Sequence, residues 1–590
     1  MCGIAAWFGK KSPGGSLDLE MIAHRGPDSQ GTWDSPDRAV WFGHTRLAFR
    51  DLTEAGAQPM VDPQTGNVII FNGEIYNDPD LRRELAQHRI AWKGSSDTET
   101  LLHGYRIWGA EMVQKIKGMF AFLVYEAATG SLFGARDRLG IKPLYLARTP
   151  DGLLFASEVR ILLDKIGRKT SPEGVAGYLR WGACPEPALL FEGIESLPAA
   201  HHFHVTKGGS FTIRRYWSPG GVVSVSPAEA VETVRALLER SVEGHLLSDV
   251  PVASFLSGGI DSSIITAMAA QKLGTPIKTF SVGFSNAKYD ETGIAGEVAR
   301  RYRTDHCRIE LTDAQIIASV TESVSTMDLP SVDAINTYIV SKAVTQRGVK
   351  VALSGLGGDE LFGGYPSFND VPKLLAFSRL PGFARGLVGR FSKNRDRLAE
   401  IPASTAGAIA LWRRAFWTEA QIRKAGLPVP ARPALDEHGL RDDYAKISWA
   451  ELSGYMRHLL LRDSDQMSMA VALELRVPFL DHELVDYVLS LPASIKRSGA
   501  GIKPLLVTAT SDLLPKSVYD RPKQGFVLPM AEWMRGPLAA FVSEGLSELK
   551  GGGLMEPRSV AEAEDAFNSG RLHWTRLWEL VVLGHYLRRR

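Results

Sequence analysis

The 590-residue sequence contains only three cysteines, Cys2, Cys184 and Cys307. Their odd number and wide spacing argue against a disulfide framework and against a cysteine-based zinc site. We therefore expect free thiols and a reducing compartment, the cytoplasm. Cys2 directly follows the initiator methionine, and a thiol in that position is a candidate nucleophile.

The sequence also lacks long apolar runs and a strong net charge. No apolar run reaches the length of a membrane-spanning helix, and no basic segment followed by an apolar one predicts a signal peptide. The formal net charge is +2, so we expect no bulk attraction to nucleic acid or to a membrane surface. No internal repeat is visible. The length predicts about two to four globular domains.

The first 215 or so residues contain short apolar runs broken by Gly, Pro, Asn and Asp. The segment "FAFLVYEAATGSLFGARD" predicts a β-hairpin with its turn at "ATG". Helical patterns such as "DTETLLHGYRIWG" lie between the apolar runs. This part is therefore predicted to be α+β with mostly antiparallel sheets.

The segment "RRYWSPGGVVSVSP" is the best domain boundary, and we divide the chain into domains 2–212 and 213–590. After it, "PVASFLSGG", "IKTFSVGF" and "VKVALSGLGG" are short apolar strands that end in small residues, and helical patterns follow. This alternation predicts a parallel α/β sheet with binding loops at the strand ends. From about residue 370 the pattern is mostly helical.

The segment "FLSGGIDSSI" predicts a phosphate-binding loop after a strand that ends at Leu256. The loop consists of Ser257, Gly258 and Gly259, and the helix after it begins with Asp261, Ser262 and Ser263. Backbone N–H groups and a helix N-terminus favour an anion there. The lysine of a "GxxxxGK[ST]" loop is absent, which suits pyrophosphate with Mg²⁺. The alternative is a plain glycine-rich turn.

A second loop, "VALSGLGGDELFGGY", repeats this pattern. Ser354 and Gly355 end the strand, and Asp359 and Glu360 follow. Two acids beside a glycine-rich loop can share a hard cation with phosphate oxygens. The alternative is a solvated acidic pair.

These motifs resemble known enzymes. "SGGIDSS" is similar to the pyrophosphatase-type loop of ATP-dependent synthetases that form acyl-adenylates. "SGLGGDELFGGY", "SMAVALELRVPFLDHEL" and "RPKQGFVLP" resemble the synthetase domain of the asparagine synthetase family. The resemblance implies that ATP activates a carboxylate as its adenylate, that pyrophosphate leaves, and that ammonia attacks the acyl carbon.

The same resemblance assigns roles to residues in the second half. Pyrophosphate would be held by Ser257, Gly258, Gly259, Asp261, Ser262 and Ser263, and Mg²⁺ by Asp261 and Asp359. The adenosine pocket would be lined by Leu256, Val282, Ser354 and Gly355. Lys503, in "GIKPLLVTAT", would stabilise charge on the adenylate and its attacked carbonyl. The alternative for Lys503 is a solvated surface lysine.

The N-terminal part resembles the class II glutamine amidotransferase domain. Together with Cys2, the polar segments "AHRGPDSQG", "GHTRLAF", "FNGEIYN" and "SSDTET" carry this resemblance. It implies an N-terminal-nucleophile fold, an αββα sandwich, over about residues 2–200. The expected architecture is this sandwich followed by a parallel-sheet, ATP-pyrophosphatase-like α/β domain with a helical C-terminal part.

In that family the Cys2 thiolate would attack the side-chain amide of glutamine, with its own α-amine as the base, so Met1 must be removed. Asn72 and the Gly73 N–H would stabilise the oxyanion. Arg46 would bind the substrate carboxylate, and Glu74 and Asp97 its α-ammonium. Taken singly, these residues are typical of an inert thiol, a turn, a surface ion pair and a helix cap.

Two leucines depart from the family pattern on the acceptor side. Leu356 stands where asparagine synthetases have Glu in "SGEGSDE", and Glu360 is the residue that could compensate. Leu329 stands where relatives often have Glu or Gln before the proline. We expect both positions to lie near the acceptor carboxylate, so the sequence predicts the reaction type more firmly than the acceptor.

The first hypothesis is a glutamine-hydrolysing asparagine synthetase that uses glutamine, ATP and aspartate and conducts ammonia through an internal tunnel; the family resemblance suggests a homodimer. The second is an enzyme of the same mechanism that amidates another carboxylate in a biosynthetic pathway. The third is a β-lactam-synthetase-like enzyme whose N-terminal domain is only a scaffold. Cys2 argues against the third hypothesis, because such relatives typically lack it.

Overall fold

The structure is a computed structural model that describes residues 2–10, 17–284, 292–381, 395–402, 404–499, 501–520 and 528–588. Its strands form three sheets, two in the first half of the chain and one in the second. Within the described ranges, no helix combines the length and apolarity that crossing a membrane requires.

The first half contains twelve strands within the described residues. They are β1 (Gly3–Gly9), β2 (Ser29–Asp34), β3 (Val40–Arg46), β4 (Met60–Val61), β5 (Val68–Ile75), β6 (Gly118–Glu126), β7 (Ser131–Arg136), β8 (Tyr145–Thr149), β9 (Gly152–Ala156), β10 (Ile194–Ser196), β11 (His201–Val205) and β12 (Phe211–Arg215). The two sheets have the orders β10-β8-β9-β1-β3-β2 and β12-β11-β7-β6-β5-β4. Every pairing in them is antiparallel, and the predicted hairpin is the β6–β7 pair.

The two sheets pack face to face between helices. Ile4 and Phe42 of the first sheet and Ile70 and Leu123 of the second belong to one buried cluster between the sheets. Among the described residues, the α-helices of this half are Asp78–Leu85, Asp97–Trp108, Met112–Lys115, Val159–Ile166 and Pro172–Trp181. The first three lie with the outer face of the second sheet, and the last two with that of the first. This arrangement confirms the predicted αββα sandwich.

The second half has a five-stranded parallel sheet. Its strands are β13 (Val252–Phe255), β14 (Lys278–Phe284), β15 (Asp305–Leu311), β16 (Val351–Leu353) and β17 (Glu474–Arg476), in the order β15-β14-β13-β16-β17. All four pairings are parallel, which confirms the predicted α/β sheet. The neighbouring strands β13 and β16 are those that lead into the two glycine-rich loops, so the loops begin side by side.

The remainder of the second half is helical, as predicted. In the described part of this half the α-helices are Pro227–His245, Ile260–Lys272, Thr292–Tyr302, Asp313–Thr326, Ala334–Thr345, Gly358–Phe362, Ser367–Ser378, Arg395–Ala399, Ala406–Arg413, Glu419–Lys424, Asp443–Ala450, Arg462–Met469, His482–Ser490, Ala493–Lys496, Pro504–Thr510, Lys516–Tyr519, Met530–Arg535, Ala539–Gly551, Pro557–Asn568 and Trp574–Arg588. A π-helix covers Glu451–Leu461. The two edge strands, β15 and β17, were not predicted, since neither is a short apolar run that ends in small residues.

The two halves share an apolar core. Val175 and Leu179, on the outer helix layer of the sandwich, belong to the same buried cluster as Trp578 and Leu580 of the last helix. The Tyr178 hydroxyl donates to the Glu579 carbonyl over 2.9 Å. Residues 216–226, all of them described, form neither helix nor strand. The domain boundary after residue 212 stays a prediction.

Candidate active sites

Cys2 lies directly before β1 in the first sheet and contacts Asn72 of β5 in the second. The Cys2 backbone N–H donates to Asn72 Oδ1 over 3.2 Å. Only 8% of Cys2 is exposed, and burial raises the pKa of its thiol. The structure therefore places the candidate nucleophile beside a candidate oxyanion donor. Met1 lies outside the described residues, so its removal stays a prediction.

Asn72 also offers a donor beside Cys2. Its Nδ2 is buried and has no hydrogen-bond partner among the described residues. A buried amide without a partner is destabilising unless a ligand satisfies it, and it suits a developing oxyanion. The next residue, Gly73, has φ +155°, and a Cβ there would lie 2.1 Å from the Met119 carbonyl oxygen. Only glycine fits this position.

Glu74 and Asp97 lie behind this pair, with Arg50 between carboxylates. Arg50 Nη1 is 3.0 Å from Glu74 Oε1, and its Nη2 is 2.7 Å from an oxygen of Asp78. Asp97 Oδ2 accepts the Ile75 N–H over 3.0 Å. Burial raises the pKa of Asp97 to about 6 and also raises that of Glu74. Arg50 already supplies a positive charge to these acids, and their expected contact with a substrate α-ammonium group stays a prediction.

Arg46 is nearly buried at the end of β3, and its guanidinium contacts backbone carbonyls of the loop that follows this strand. Its Nη1 donates to the Thr53 carbonyl over 2.9 Å, and its Nη2 donates to the Asp51 carbonyl. In this structure the guanidinium therefore holds the loop that contains Arg50. Its expected contact with a substrate carboxylate stays a prediction.

Hydrogen bonds between Ser257 and Ser262 join the first glycine-rich loop to the helix that follows it. Ser257 Oγ lies 3.0 Å from Ser262 Oγ, and the Ser257 N–H donates to the same Ser262 oxygen over 3.2 Å. Gly259 is the N-cap of the helix Ile260–Lys272. Ser263 is fully buried, and its hydroxyl has no hydrogen-bond partner among the described residues. The helix N-terminus and the loop therefore converge, as the phosphate-loop interpretation requires.

The second glycine-rich loop packs against the first, backbone to backbone. A Cβ at Gly355 would lie 2.8 Å from the Ser262 nitrogen and 2.9 Å from the Asp261 Cβ. Real Cβ atoms do not approach so closely, so glycine is what allows this contact. This contact brings the carboxylates of Asp261 and Asp359 to the same ammonium group, that of Lys503.

Lys503 contacts both carboxylates. Its Nζ is 2.7 Å from Asp261 Oδ1 and 2.7 Å from Asp359 Oδ1, and only 3% of its side chain is exposed. Although burial lowers the pKa of Lys503, the two carboxylates raise it above the ordinary value. The solvated-surface alternative for Lys503 is therefore wrong. The residue adopts a left-handed conformation with φ +54° directly before Pro504.

The residues at this point fit Mg²⁺. Two carboxylates beside a phosphate-binding loop are the oxygen ligands that Mg²⁺ takes together with substrate phosphates. Here the ammonium group of Lys503 neutralises both carboxylates. A metal ion bound by Asp261 and Asp359 would have to displace it. Among the described residues no group of three or more His, Cys, Asp and Glu could hold a metal, so phosphate oxygens would complete the set.

The residues expected to line the adenosine pocket differ in how far they are exposed to a ligand. Leu256 is fully buried in the core, so only its backbone can face a ligand, and its N–H donates to the Phe280 carbonyl over 2.8 Å. Val282 of β14 is partly exposed. The Ser354 N–H donates to the Arg476 carbonyl over 2.8 Å. The adenosine pocket stays a prediction.

The two leucines of the acceptor side lie in different surroundings. Leu329 is fully buried in the core shared by the two halves, and its N–H donates to Gln466 Oε1 over 3.1 Å. Leu356 is partly exposed at the second loop. Glu360 is buried, accepts the Tyr365 hydroxyl over 2.6 Å, and has its pKa raised to about 7 by burial and by Asp359. Of the two leucines, only Leu356 is therefore open to a ligand.

Sequence reasoning missed the buried arginines that join the halves. Arg25, in the quoted "AHRGPDSQG", donates through Nε to the Cys2 carbonyl over 3.2 Å. Its Nη1 lies 3.0 Å from Glu158, and its Nη2 lies 2.8 Å from Asp465 of the second half. The motif contains Arg25, but nothing in the sequence indicates its distant partners.

Residues 521–527 of "RPKQGFVLP" lie outside the described residues.

We expect Lys503→Met to bind Mn²⁺ in the absence of nucleotide at least about tenfold more tightly than the unaltered protein. The substitution leaves Asp261 and Asp359 as neighbouring carboxylates without their cation, and such a pair favours a divalent ion. Electron paramagnetic resonance of free Mn²⁺ measures the affinity. The matched control, Lys503→Met with Asp359→Asn, should return to the unaltered affinity. Equal binding by Lys503→Met and the unaltered protein contradicts this assignment.

Comparison with known proteins identifies the family. The glutamine amidotransferase domain model matches residues 1–217, and the asparagine synthase model matches residues 233–588. Asparagine synthetase (glutamine-hydrolyzing) 1 of Bacillus subtilis is 33% identical over 580 residues, which cover 93% of this chain and 90% of the relative. Amidase chry2 of Gibberella zeae is 28% identical over 651 residues, covering 96% and 95%. The chain therefore belongs to the asparagine synthase family, with a glutamine amidotransferase domain in its N-terminal part.

Proposed function

We propose that the protein is a glutamine-dependent asparagine synthetase. It converts aspartate, ATP and glutamine into asparagine, AMP, pyrophosphate and glutamate. The single observation that carries the proposal is the contact of Cys2 with Asn72, whose buried Nδ2 lacks a partner among the described residues. The Bacillus subtilis relative supports the choice of product.

In the first step, the Cys2 thiolate attacks the side-chain amide carbon of glutamine, and the C–N bond breaks as the leaving nitrogen takes a proton. Asn72 Nδ2 and the Gly73 N–H donate to the oxyanion. Glu74 and Asp97 bind the α-ammonium group of the substrate, and Arg46 its carboxylate. Water then hydrolyses the thioester and releases glutamate.

In the second step, an oxygen of the acceptor carboxylate attacks the α-phosphorus of ATP, and pyrophosphate leaves. The backbone of the two loops and the hydroxyls of Ser257 and Ser262 hold the pyrophosphate. Mg²⁺, when bound by Asp261 and Asp359, neutralises phosphate charge. Lys503, once released from these carboxylates, stabilises charge at the attacked carbonyl as ammonia displaces AMP. An internal tunnel delivers the ammonia unprotonated.

A second candidate is amidation of a carboxylate other than that of aspartate. It is favoured by Leu356, an apolar and partly exposed residue at the second nucleotide loop. A relative named an amidase, chry2, also matches over nearly the whole chain. The chemistry of both sites is the same under this alternative, and only the acceptor differs.

We further propose that the protein works as a homodimer in the cytoplasm. Cys2, Cys184 and Cys307 are all free thiols in the structure, and a reducing compartment keeps the Cys2 nucleophile in that form. The homodimer is proposed from the family alone. Sedimentation velocity of the purified protein tests it, and a monomer at micromolar concentration contradicts it.

An acceptor screen tests the proposed function. We expect aspartate with glutamine and MgATP to give pyrophosphate, AMP and asparagine in equal amounts, measured by coupled pyrophosphate release and amino-acid analysis. Pyrophosphate release with a different carboxylic acid, and none with aspartate, would support the second candidate. Release without any nitrogen donor and without an amide product would contradict both.

We expect Asn72→Ala to lower kcat for glutamate formation about 100- to 1,000-fold, because the variant loses one oxyanion donor. Pyrophosphate release with ammonium chloride as nitrogen source should stay within about twofold, since Asn72 lies in the first site only. Cys2→Ala serves as the reference for complete loss of glutamine use. Full glutamine-driven synthesis by Cys2→Ala would instead favour the scaffold hypothesis.

The KM for glutamine should rise about tenfold between pH 7 and pH 5. Burial raises the pKa of Asp97 to about 6, so its ionised fraction falls by about that factor over this range. The charged groups that act on Asp97 are Arg50, Asp78, Glu74 and Glu474. Initial rates of glutamate formation measure KM. In Asp97→Asn, KM should be higher at pH 7 and should rise less as the pH falls; a pH profile identical to that of the unaltered protein would refute the assignment.

A further inference from the structure

Glu74 lies between arginines from the two halves of the chain. Arg50 Nη1 of the amidotransferase part is 3.0 Å from Glu74 Oε1. Arg476 Nη2 of β17 in the synthetase part is 3.3 Å from Glu74 Oε2. Glu74 and Arg476 are both fully buried. The carboxylate proposed to bind the α-ammonium of glutamine therefore has its position set partly by a residue of the other half.

The guanidinium of Arg476 is fixed by three further contacts. Its Nε donates to Glu474 over 2.6 Å, and its Nη1 donates to the carbonyls of His245 over 2.8 Å and Leu247 over 2.6 Å. Because a planar guanidinium with this many partners has one orientation, Arg476 cannot move without moving Glu74 or the 245–247 backbone. A displacement at one contact of Arg476 is therefore passed on to its other contacts.

Both nucleotide loops are attached to the same residue. The Arg476 carbonyl accepts the N–H of Ser354, the first residue of the second loop. His245 and Leu247 come shortly before β13, which leads into the first loop. A displacement of either loop on binding ATP therefore reaches Arg476 through one hydrogen bond or through a few residues of chain.

A second contact between the two halves involves the loop whose backbone carbonyls accept hydrogen bonds from Arg46. The Asp51 N–H donates to Asp249 Oδ2 over 2.7 Å, and the Asp249 N–H donates to the Phe49 carbonyl over 2.8 Å. Asp249 belongs to the same connection between the helix Pro227–His245 and β13, and its side chain is exposed. The segment that precedes the first nucleotide loop thus contacts the amidotransferase site at two points.

We propose that Arg476 is a positioning residue that couples the two sites, so that MgATP on the nucleotide loops tightens the binding of glutamine through Glu74. The inference rests on the proposed function of both sites. Coupling of this kind is reciprocal: glutamine then tightens the binding of MgATP by the same factor. Arg476 touches neither substrate, and its effect passes through Glu74.

The test measures the KM for glutamine in glutamate formation, with and without saturating MgATP and without any acceptor. In the unaltered protein we expect MgATP to lower KM at least about fivefold, the lower end of typical couplings. In Arg476→Lys the ratio should fall to about one, because a lysine cannot hold Glu74, Glu474 and two carbonyls together. A simple loss of stability would lower the active fraction but leave this ratio unchanged.

Arg160→Lys is the matched control. Arg160 also forms an ion pair across the halves, 3.3 Å from Asp328, but it does not contact Glu74. It should keep the MgATP effect. If Arg476→Lys does not fold, Asp249→Ala tests the second contact at an exposed position and should reduce the ratio. A coupling ratio that persists in a folded Arg476→Lys overturns the inference.

Failure of the inference and failure of the proposed function give different results. An unaltered protein that forms no glutamate refutes the amidotransferase site itself. An unaltered protein that forms glutamate with the same KM in the presence and absence of MgATP leaves that site intact and refutes the coupling.

Discussion

The structure depends on buried arginines that pair with acids from both halves of the chain. Arg25 and Arg476 are both fully buried, and each is paired with one acid of the amidotransferase part and one of the synthetase part. Separating the halves would take one acid away from each arginine, while the pairs Arg25–Glu158 and Arg476–Glu474 would remain within their own halves. The relative position of the two sites is thereby fixed together with the fold.

Both candidate sites use the same construction, in which backbone groups are held in place by close packing. Gly73 and Gly355 each stand where a Cβ would collide with neighbouring backbone atoms. Close approach of this kind leaves N–H groups in fixed directions, and fixed donors stabilise developing charge without reorganising. Side chains such as Asn72 and Lys503 then add one donor or one charge each.

Local pattern in the sequence predicted the hairpin β6–β7, the parallel sheet and the two adjacent glycine-rich loops, because hydrophobic period and turn residues act over short distances. The motifs also singled out Cys2 and Asn72, which the fold brings into contact. The partners of Arg476 were not predictable, since they depend on how the halves dock. Neither was the direction of Arg46, whose guanidinium holds its own loop, nor the burial of Leu329. Long-range pairing of charges carries no periodic signature in the chain.

The shared apolar core has a consequence for how the protein is made. Val175 and Leu179 are covered by the helix Trp574–Arg588, which leaves the ribosome almost 400 residues later. That interval lasts roughly 20–80 s at about 5–20 residues per second. Throughout it, the apolar face that carries Val175 and Leu179 lacks the helix that buries it in the folded protein. This face of the sandwich therefore stays without its cover until the helix Trp574–Arg588 has been synthesised.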